Sequence, residues 1–356
     1  ESFGGAICNG WSCDEDWVRT GAPKASIGDI NGDFIGNYAM ATASSMYGSS
    51  AKGGAIYNHT SRADGGATVT IGSIIGDFIG NYVTSVYSEA SGGAIYNMAD
   101  YLGTATIGNI HGNFIGNYAQ GYYDLGGAIY NYANSSAKAT IGNIIGDFIG
   151  NYASRGGAIY TNCAGTASAI ASIGDITGNF INNHAKYDGG AISSFSGEIG
   201  NITGNFINNY VISTNEAEGG AIYGGKLGNI TGDFIGNYVS SYSSAMGGAI
   251  YSSNKISSIK AENISENRAI STDDSAKGGF LYSEEYGAVK NISGNIYNNF
   301  AQGKSAEGGA VYSSSYSDII KIEATVDNDP NYVIGPVYLT LFAEVTETQS
   351  FNDVNF

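Results

Sequence analysis

The sequence predicts an all-β fold, a right-handed single-stranded parallel β-helix of about nine to ten coils with about three short strands per coil. Two short phrases alternate along the chain, and their spacing settles near thirty residues. The composition includes 54 glycines, 27 tyrosines and only 3 prolines. Short runs rich in Ile, Val, Phe and Tyr, separated by glycine, favour strands over helices. The right hand follows from the strong preference of crossovers between parallel strands.

The first phrase is a glycine doublet that most often continues Ala-Ile-Tyr. Because glycine allows the backbone to bend and to adopt positive φ, we expect these positions to form corners between strands. The Ile of each Gly-Ala-Ile is expected to point inward and to stack on its equivalent one coil away. The doublets begin at Gly4, Gly53, Gly92, Gly126, Gly156, Gly189, Gly219, Gly247, Gly278 and Gly308.

The second phrase, Phe-x-x-Asn, lies between consecutive doublets. Its aromatic residues are predicted to form one interior stack, made of Phe34, Phe78, Phe114, Phe148, Phe180, Phe206 and Phe234. Its asparagines are predicted to form a structural ladder of side-chain amides at a turn, made of Asn37, Asn81, Asn117, Asn151, Asn183, Asn209, Asn237, Asn267 and Asn299. In the last two copies Ile264 and Ile296 replace the phenylalanine.

Two polar positions precede the ladder asparagine in each coil and vary mainly between Asp and Asn. Carboxylates stacked about 5 Å apart would repel by roughly 1 kcal/mol or more, whereas asparagines can bond along the stack. The first position never carries Asp on consecutive coils, while the second does so at Asp33 and Asp77. We interpret both positions as structural rungs rather than as catalytic residues.

The repeat domain is predicted to span residues 1–318, with longer loops in the early coils of residues 1–92. Residues 319–356 break the pattern and contain Pro330 and Pro336. They are expected either to cap the last coil, which would cover an open sheet edge, or to begin a following module. The variable loops before each doublet are expected to emerge along one edge of the rod, which favours recognition there.

The charge balance excludes several classes of partner. The chain has 15 Lys and Arg against 32 Asp and Glu, a net charge of −17. So few basic residues cannot form a stripe for nucleic acid or for an anionic membrane surface. No run of 18 apolar residues occurs, so we expect no direct membrane insertion of this segment as a helix.

The cysteines leave two interpretations open. A bridge between Cys8 and Cys13 would close a small loop and would require an oxidising compartment. The alternative is that these two residues and Cys163 are unrelated thiols.

No cofactor is predicted. The three histidines occupy different repeat positions and lack the paired spacing of a zinc site. Isolated calcium is the alternative left open, beside Asp33 and Asp77 or in acidic loops such as that at Asp273 and Asp274.

The sequence predicts no catalytic residues and no enzymatic activity. Many parallel β-helices are polysaccharide lyases or hydrolases, which gather carboxylates in a groove. A catalytic site should appear as a local violation of the repeat, and we find no coil that breaks its pattern to gather acids and bases. The four arginines, Arg19, Arg62, Arg155 and Arg268, lie in loops of different length.

A tyrosine follows most Gly-Gly-Ala-Ile phrases and has two interpretations. The rings could stack along the solenoid, because flat rings at one position per coil pack well. Alternatively, they could form a strip for carbohydrate or protein contact, with the candidates Tyr57, Tyr96, Tyr130, Tyr160, Tyr223 and Tyr251.

The alternation of Gly-Gly-Ala-Ile with Phe-x-x-Asn over roughly residues 3–312 resembles the polymorphic outer-membrane protein family of autotransporters. The resemblance implies a secreted, surface-exposed right-handed β-helical passenger that acts as an adhesin. We therefore expect an extracellular, non-enzymatic adhesin or cell-surface structural protein. Its partners would be a protein or glycan on a host or neighbouring cell, or copies of itself.

Two alternative functions remain open from the sequence. The chain could be a subunit of an extracellular fibre that stacks end to end through exposed strand edges. It could also be a carbohydrate-active β-helix enzyme.

Overall fold

The computed structural model describes residues 2–10, 24–42, 50–60, 66–284 and 287–314, together with the backbone of three later strands. These residues contain no helix, and their strands pair in parallel from coil to coil. They form a parallel β-solenoid of about eight turns. The predicted fold class is therefore confirmed, with slightly fewer coils than expected. The right-handed sense stays a prediction.

Each coil starts at the glycine doublet and consists of up to six short strands. The first strands follow the doublets and are Ile7–Gly10, Ile56–Thr60, Ile95–Ala99, Ile129–Asn134, Ile159–Ala164, Ile192–Ile199, Ile222–Thr231, Ile250–Ser252, Leu281–Ser283 and Val311–Ser313. The second strands are Lys24–Ile27, Thr68–Ile71, Thr104–Ile107, Lys138–Ile141, Ile170–Ile173, Lys255–Ser265, Ala288–Val289 and Asp318–Ile319. The third strands are Ile30–Asn31, Ile74–Ile75, Ile110–His111, Ile144–Ile145, Ile176–Thr177, Ile202–Thr203, Ile292–Tyr297 and Ile322–Thr325.

The other half of each coil leads back to the next doublet. The fourth strands carry the Phe-x-x-Asn phenylalanine and are Phe34–Ile35, Phe78–Ile79, Phe114–Ile115, Phe148–Ile149, Phe180–Ile181, Phe206–Ile207 and Phe234–Ile235. The fifth strands are Tyr38–Ala41, Tyr82–Ser85, Tyr118–Gln120, Tyr152–Arg155, His184–Asp188, Tyr210–Ser213, Tyr238–Ser241, Arg268–Ser271, Phe300–Gln302 and Tyr332–Ile334. The sixth strands are Ser2–Phe3, Ala51–Lys52, Glu89–Ser91, Tyr123–Leu125, Ala217–Glu218, Ala245–Met246, Ser275–Lys277 and Ser305–Glu307.

The predicted three strands per coil divide into shorter pieces because glycines turn the chain between them. In one coil, Gly146 has a φ of 156° and Gly150 a φ of 62°. These two residues separate the third, fourth and fifth strands of that coil. In later coils some pieces merge, so that Ile222–Thr231 and Lys255–Ser265 each pair with several strands of neighbouring coils.

The solenoid interior is a column of stacked apolar side chains. The phenylalanines of the second phrase form one stack from Phe34 to Phe234, with ring centroids 4.7–4.8 Å apart and planes within 6° of parallel. The Ile of each Gly-Ala-Ile is also buried in this core. Burying each such side chain contributes about 1.5–3 kcal/mol, so the identical rungs are the main source of hydrophobic stability.

The phenylalanine stack ends where the repeat changes. Ile264 takes the next position after Phe234, paired with it in the parallel ladder. The following doublet carries Phe280 where other copies have alanine, and its ring meets Phe234 edge-on at 5.4 Å. Phe280 is larger than the alanine that it replaces, and Ile264 is smaller than the phenylalanine that it replaces. The two replacements together keep the core filled.

The doublet forms a corner at which two coils pass closely. Gly126 has a φ of 62°, which is in the left-handed region that favours glycine. At Gly127 a Cβ atom would overlap the carbonyl oxygen of Gly157 on the next coil. The first glycine is therefore required by backbone conformation and the second by the lack of space.

The stack of coils continues past residue 318, the predicted domain boundary. Strand Ile322–Thr325 pairs in parallel with Ile292–Tyr297, and Tyr332–Ile334 pairs with Phe300–Gln302. The rest of the predicted C-terminal segment lies outside the described residues.

We expect Gly127→Ala to lower the free energy of unfolding by about 3 kcal/mol or more, because the new methyl group overlaps backbone that cannot move independently. Thermal denaturation of the two proteins measures the change. Gly28→Ala is the matched control, since a Cβ there meets no atom within 4 Å. A melting temperature for Gly127→Ala equal to that of the control would contradict the close approach of the coils.

Candidate functional site

The asparagines of Phe-x-x-Asn form a continuous hydrogen-bonded ladder, and all from Asn81 onward are fully buried. The Nδ2 group of Asn117 donates to the Oδ1 atom of Asn151 on the next coil at 3.0 Å. It also donates to the carbonyl oxygen of Phe78 on the preceding coil at 2.9 Å. The Asn117 Oδ1 atom accepts two bonds from Asn81, one from the backbone N–H and one from Nδ2. Each asparagine thereby connects three coils.

The two other polar positions work differently, which explains why they tolerate aspartate. There the side-chain oxygen accepts the backbone N–H of the next coil, as in the 2.8 Å bond from Asp77 N–H to Asp33 Oδ1. Asn109 Oδ1 accepts from Asn143 N–H in the same way. The acceptor is what these sites have in common, although some of their asparagines also donate, as Asn113 Nδ2 does to Asp77 Oδ1 at 3.1 Å, so both Asp and Asn are accommodated. The ladder asparagine must also donate, so only an amide fits.

A second asparagine ladder follows the doublet phrase, and our sequence reasoning missed it. The Nδ2 atoms of Asn9, Asn58 and Asn97 each donate to the Oδ1 atom of the next asparagine at 2.8 Å. The ladder runs to Asn131 and reaches Thr161 at 3.5 Å. The signal was present, because each of these asparagines stands directly after the Gly-Gly-Ala-Ile-x pentapeptide.

Asn117→Asp should lower the free energy of unfolding by about 3–5 kcal/mol, because it buries a carboxylate without a cation and removes both amide donors. Chemical denaturation measures the loss.

Asn109→Asp in the same coil is the control for this variant. Asn109 is exposed, acts there as an acceptor, and has Ser73 and Asn143 rather than carboxylates on the adjacent rungs. Asn109→Asp should change the free energy of unfolding by no more than about 0.5 kcal/mol. Equal effects of the two substitutions would show that the amide donors of the ladder contribute nothing.

The tyrosines proposed as a contact strip are buried. Tyr57, Tyr96, Tyr130, Tyr160, Tyr223 and Tyr251 are between 1% and 8% exposed. Neighbouring rings stack at 4.8–5.7 Å from Tyr57 to Tyr160 and at 5.0 Å between Tyr223 and Tyr251. This corrects the contact-strip interpretation, because each ring is covered by its neighbours along the stack. The rings therefore pack as a structural stack.

In several coils the residue just before the doublet covers the tyrosine stack from the side. Leu125 packs against the buried tyrosines, Lys52 lies over the Tyr96 ring at 5.5 Å and Lys277 over the Tyr312 ring at 4.7 Å. Because this position is the last residue of the sixth strand and the tyrosine follows the corner, the two meet across a concave angle.

A groove lies in this concave angle, and we call it the tyrosine groove. It extends from Lys52 and Glu89 at one end to Phe195 at the other, with a volume of about 650 Å³. Its floor includes the residues two positions after each tyrosine, which are more exposed than the tyrosines themselves. These are Met98, Tyr132 and Asn162, together with Phe195, which stands two positions after Ser193.

One coil departs from the tyrosine pattern beside this groove. Ser193 stands where the adjacent coils have Tyr160 and Tyr223, and its hydroxyl donates to Asp188 Oδ1 at 2.7 Å. The other carboxylate oxygen of Asp188 lies 2.6 Å from Arg155 Nη1. This coil therefore breaks the repeat beside a paired acid and base, a departure that the sequence analysis did not identify. The sequence signal is the single replacement of Tyr by Ser in the phrase.

The carboxyl groups at this break have perturbed pKa values. Burial raises the pKa of Asp188 to about 6, although the charge of Arg155 and the Ser193 hydrogen bond act in the opposite direction. Glu218 occupies the equivalent position on the next coil. Burial and the nearby Asp188 charge raise the pKa of Glu218 to about 8. The Asp188 side chain is only 3% exposed, so this carboxylate is not arranged to meet a substrate.

Glu218→Gln should reduce the loss of stability that the protein suffers as pH rises. The pKa of Glu218 in the folded protein lies above its ordinary value of 4.5. Its contribution to the free energy of unfolding is therefore fully present below about pH 4.5 and is lost as pH rises through 8. Melting temperatures should match at pH 4, and the variant should melt higher at pH 8. Glu198→Gln, at a carboxylate that is 56% exposed, should show no such difference. A parallel shift at both pH values would contradict the raised pKa.

The remaining predictions concern the cysteine bridge and the possible calcium positions. Cys8 is exposed, but Cys13 lies outside the described residues, so the bridge stays a prediction. The described residues contain no cluster of three or more His, Cys, Asp or Glu side chains that could hold a metal ion. At the suggested calcium positions, Asp33 bonds to Asp77 N–H and Asp273 is ion-paired with Lys304. The lack of a cofactor also stays a prediction.

Exposed aromatic and apolar side chains cluster on the loops before two consecutive doublets. Val86 and Tyr87 are 60% and 46% exposed, and Tyr122 and Tyr123 are 64% and 65% exposed. The loops lie on adjacent coils, because Tyr122 N–H donates to the Ser88 carbonyl oxygen at 3.0 Å. We call these four residues the loop-edge cluster.

Comparison with known proteins agrees with the sequence resemblance over a short segment. The family model described as Chlamydia polymorphic membrane protein (Chlamydia_PMP) repeat matches residues 177–194. This segment holds one Phe-x-x-Asn phrase and the following Gly-Gly-Ala-Ile, so the suspected resemblance is confirmed there. No curated protein and no solved structure matches the chain. The matched repeat and the solenoid fold indicate a surface or outer-membrane protein.

The part of the chain that the structure describes contains no helical segment that could cross a lipid bilayer.

Proposed function

We propose that this chain is an extracellular, non-enzymatic β-helix that acts as an adhesin, with the loop-edge cluster as its contact surface. The observation that carries the proposal is the exposure of Val86, Tyr87, Tyr122 and Tyr123 on two adjacent coils. Contiguous exposed aromatic side chains are costly in water and are typical of protein interaction sites.

The regular interior supports a role in which the rod is a scaffold that presents binding loops. The phenylalanine stack and the two asparagine ladders use the same residues coil after coil, so they hold the rod without contributing a distinct reactive site. The loops before the doublets differ in length and composition and lie outside the stack. Variable loops on a rigid scaffold are where binding residues are usually found.

The buried carboxyl group of Asp188 does not favour an enzyme. Catalytic acids must reach the reacting atoms, whereas Asp188 is covered and already bound by Arg155 and Ser193. The partner would be a protein or glycan on a host or neighbouring cell, since tyrosine offers both an apolar ring and a hydroxyl group.

Cell binding tests this proposal. Fluorescently labelled purified protein should bind cultured epithelial cells saturably, and Tyr87→Ser/Tyr122→Ser should weaken binding at least about tenfold, because two exposed anchors are removed.

Tyr242→Ser is the matched control. Tyr242 is 62% exposed in a loop before a later doublet, and among the described residues no aromatic ring contacts it. Binding should be unchanged in this variant. Absence of saturable binding by the parent protein, or equal binding by the double variant, would contradict an adhesive loop edge.

A further inference from the structure

We propose that the tyrosine groove binds a neutral glycan chain, lying along the rod from Lys52 to Phe195. This site is separate from most of the loop-edge cluster, although Tyr123 borders both. The inference concerns a specific ligand and does not require that the loop edge be adhesive.

The dimensions of the groove suit a short extended oligomer. Its lining residues lie at five successive levels of the stack, from Lys52, just before the doublet at Gly53, to Phe195, which follows the doublet at Gly189. Four steps between coils at about 4.8 Å give a length of roughly 19 Å. The volume of about 650 Å³ falls in the range of typical ligand clefts.

The lining chemistry suits sugar rings, which have apolar C–H faces and a rim of hydroxyl groups. Tyr132 and Phe195 supply ring surface at the groove, and Phe195 is 45% exposed. The carboxamide of Asn162 lies beside Tyr132 in the register and donates to the Tyr160 hydroxyl at 3.2 Å. Rings that alternate with amide and phenol groups can pack against C–H faces while hydrogen-bonding to hydroxyls.

The charges of the groove favour an uncharged ligand. Both basic residues of its lining are paired, since Lys52 Nζ lies 3.6 Å from Glu89 and Arg155 Nη1 lies 2.6 Å from Asp188. The chain as a whole carries a net charge of −17. A polyanionic glycan would meet no free cation among the described lining residues and would be repelled by the protein.

The strand pairing disfavours a peptide as the occupant. A peptide that binds by strand addition needs an unpaired sheet edge. The strand Ile129–Asn134 in the groove floor is already paired on both sides, with Ile95–Ala99 and Ile159–Ala164. Side chains are therefore all that the groove offers to a ligand.

The break in the tyrosine stack defines one end of the groove. Tyr160 stacks on Tyr130 at 5.7 Å, but the next coil has Ser193 in place of a ring. Phe195, two residues later, tilts against Tyr223 at 5.5 Å. Its exposed ring therefore stands across the end of the groove, where it can meet a terminal sugar.

Isothermal titration of the purified chain tests the site. The probes are cellotetraose, N-acetylated chitotetraose, maltotetraose and mannotetraose, with a heparin tetrasaccharide and an uncharged hexapeptide for comparison. At least one neutral tetrasaccharide should bind with one site per chain, and Tyr132→Ser/Phe195→Ala should weaken that binding at least tenfold. Tyr242→Ser should leave it unchanged. Circular dichroism and melting temperature verify that the variants fold.

Three results would overturn the proposal: no binding of any neutral tetrasaccharide, binding of heparin or the peptide alone, or neutral binding that the groove variant leaves intact. The loop-edge variant Tyr87→Ser/Tyr122→Ser distinguishes glycan binding in the groove from cell binding through the loop-edge cluster. It should retain tetrasaccharide binding while losing cell binding, so failure of one proposal is distinguishable from failure of the other.

Discussion

The structure depends on one interaction, the side-chain amide of the Phe-x-x-Asn asparagine. At Asn117 that amide donates to the preceding coil through the Phe78 carbonyl and to the following coil through Asn151, while its oxygen accepts two bonds from Asn81. A buried turn would otherwise leave backbone groups without partners, which is costly. The asparagine satisfies them and fixes the distance between coils, so the phenylalanine rings can stack beside it at the same spacing.

Much of this organisation could be predicted from the sequence because it is periodic. The spacing of the doublets predicts the coil, and the recurrence of Phe148 and Asn151 in equivalent positions predicts stacking. The chemical distinction between the polar positions was harder to predict. It depends on whether a side chain only accepts, as Asn109 does, or also donates, as Asn117 does. Those roles are set by burial and by the backbone groups within reach.

The tyrosine groove could not be predicted because it forms between strands on opposite sides of a corner. Sequence periodicity gives the position of each tyrosine in the repeat but not the angle at the doublet that lets Leu125 pack against the tyrosine stack. The departure at Ser193 was visible in the sequence. Its meaning became clear only when the structure placed Asp188 and Arg155 beside it.

Native-state hydrogen exchange of the ladder asparagine amides tests the central claim most directly. The backbone N–H of Asn117 donates to Asn151 Oδ1 rather than to a backbone carbonyl. If the ladder holds the coils together, the backbone amides of Asn81, Asn117, Asn151 and Asn183 should exchange as slowly as those of the adjacent phenylalanines. Exchange as fast as that of the exposed loop residue Tyr87 would show that the asparagines occupy the turns without holding the coils.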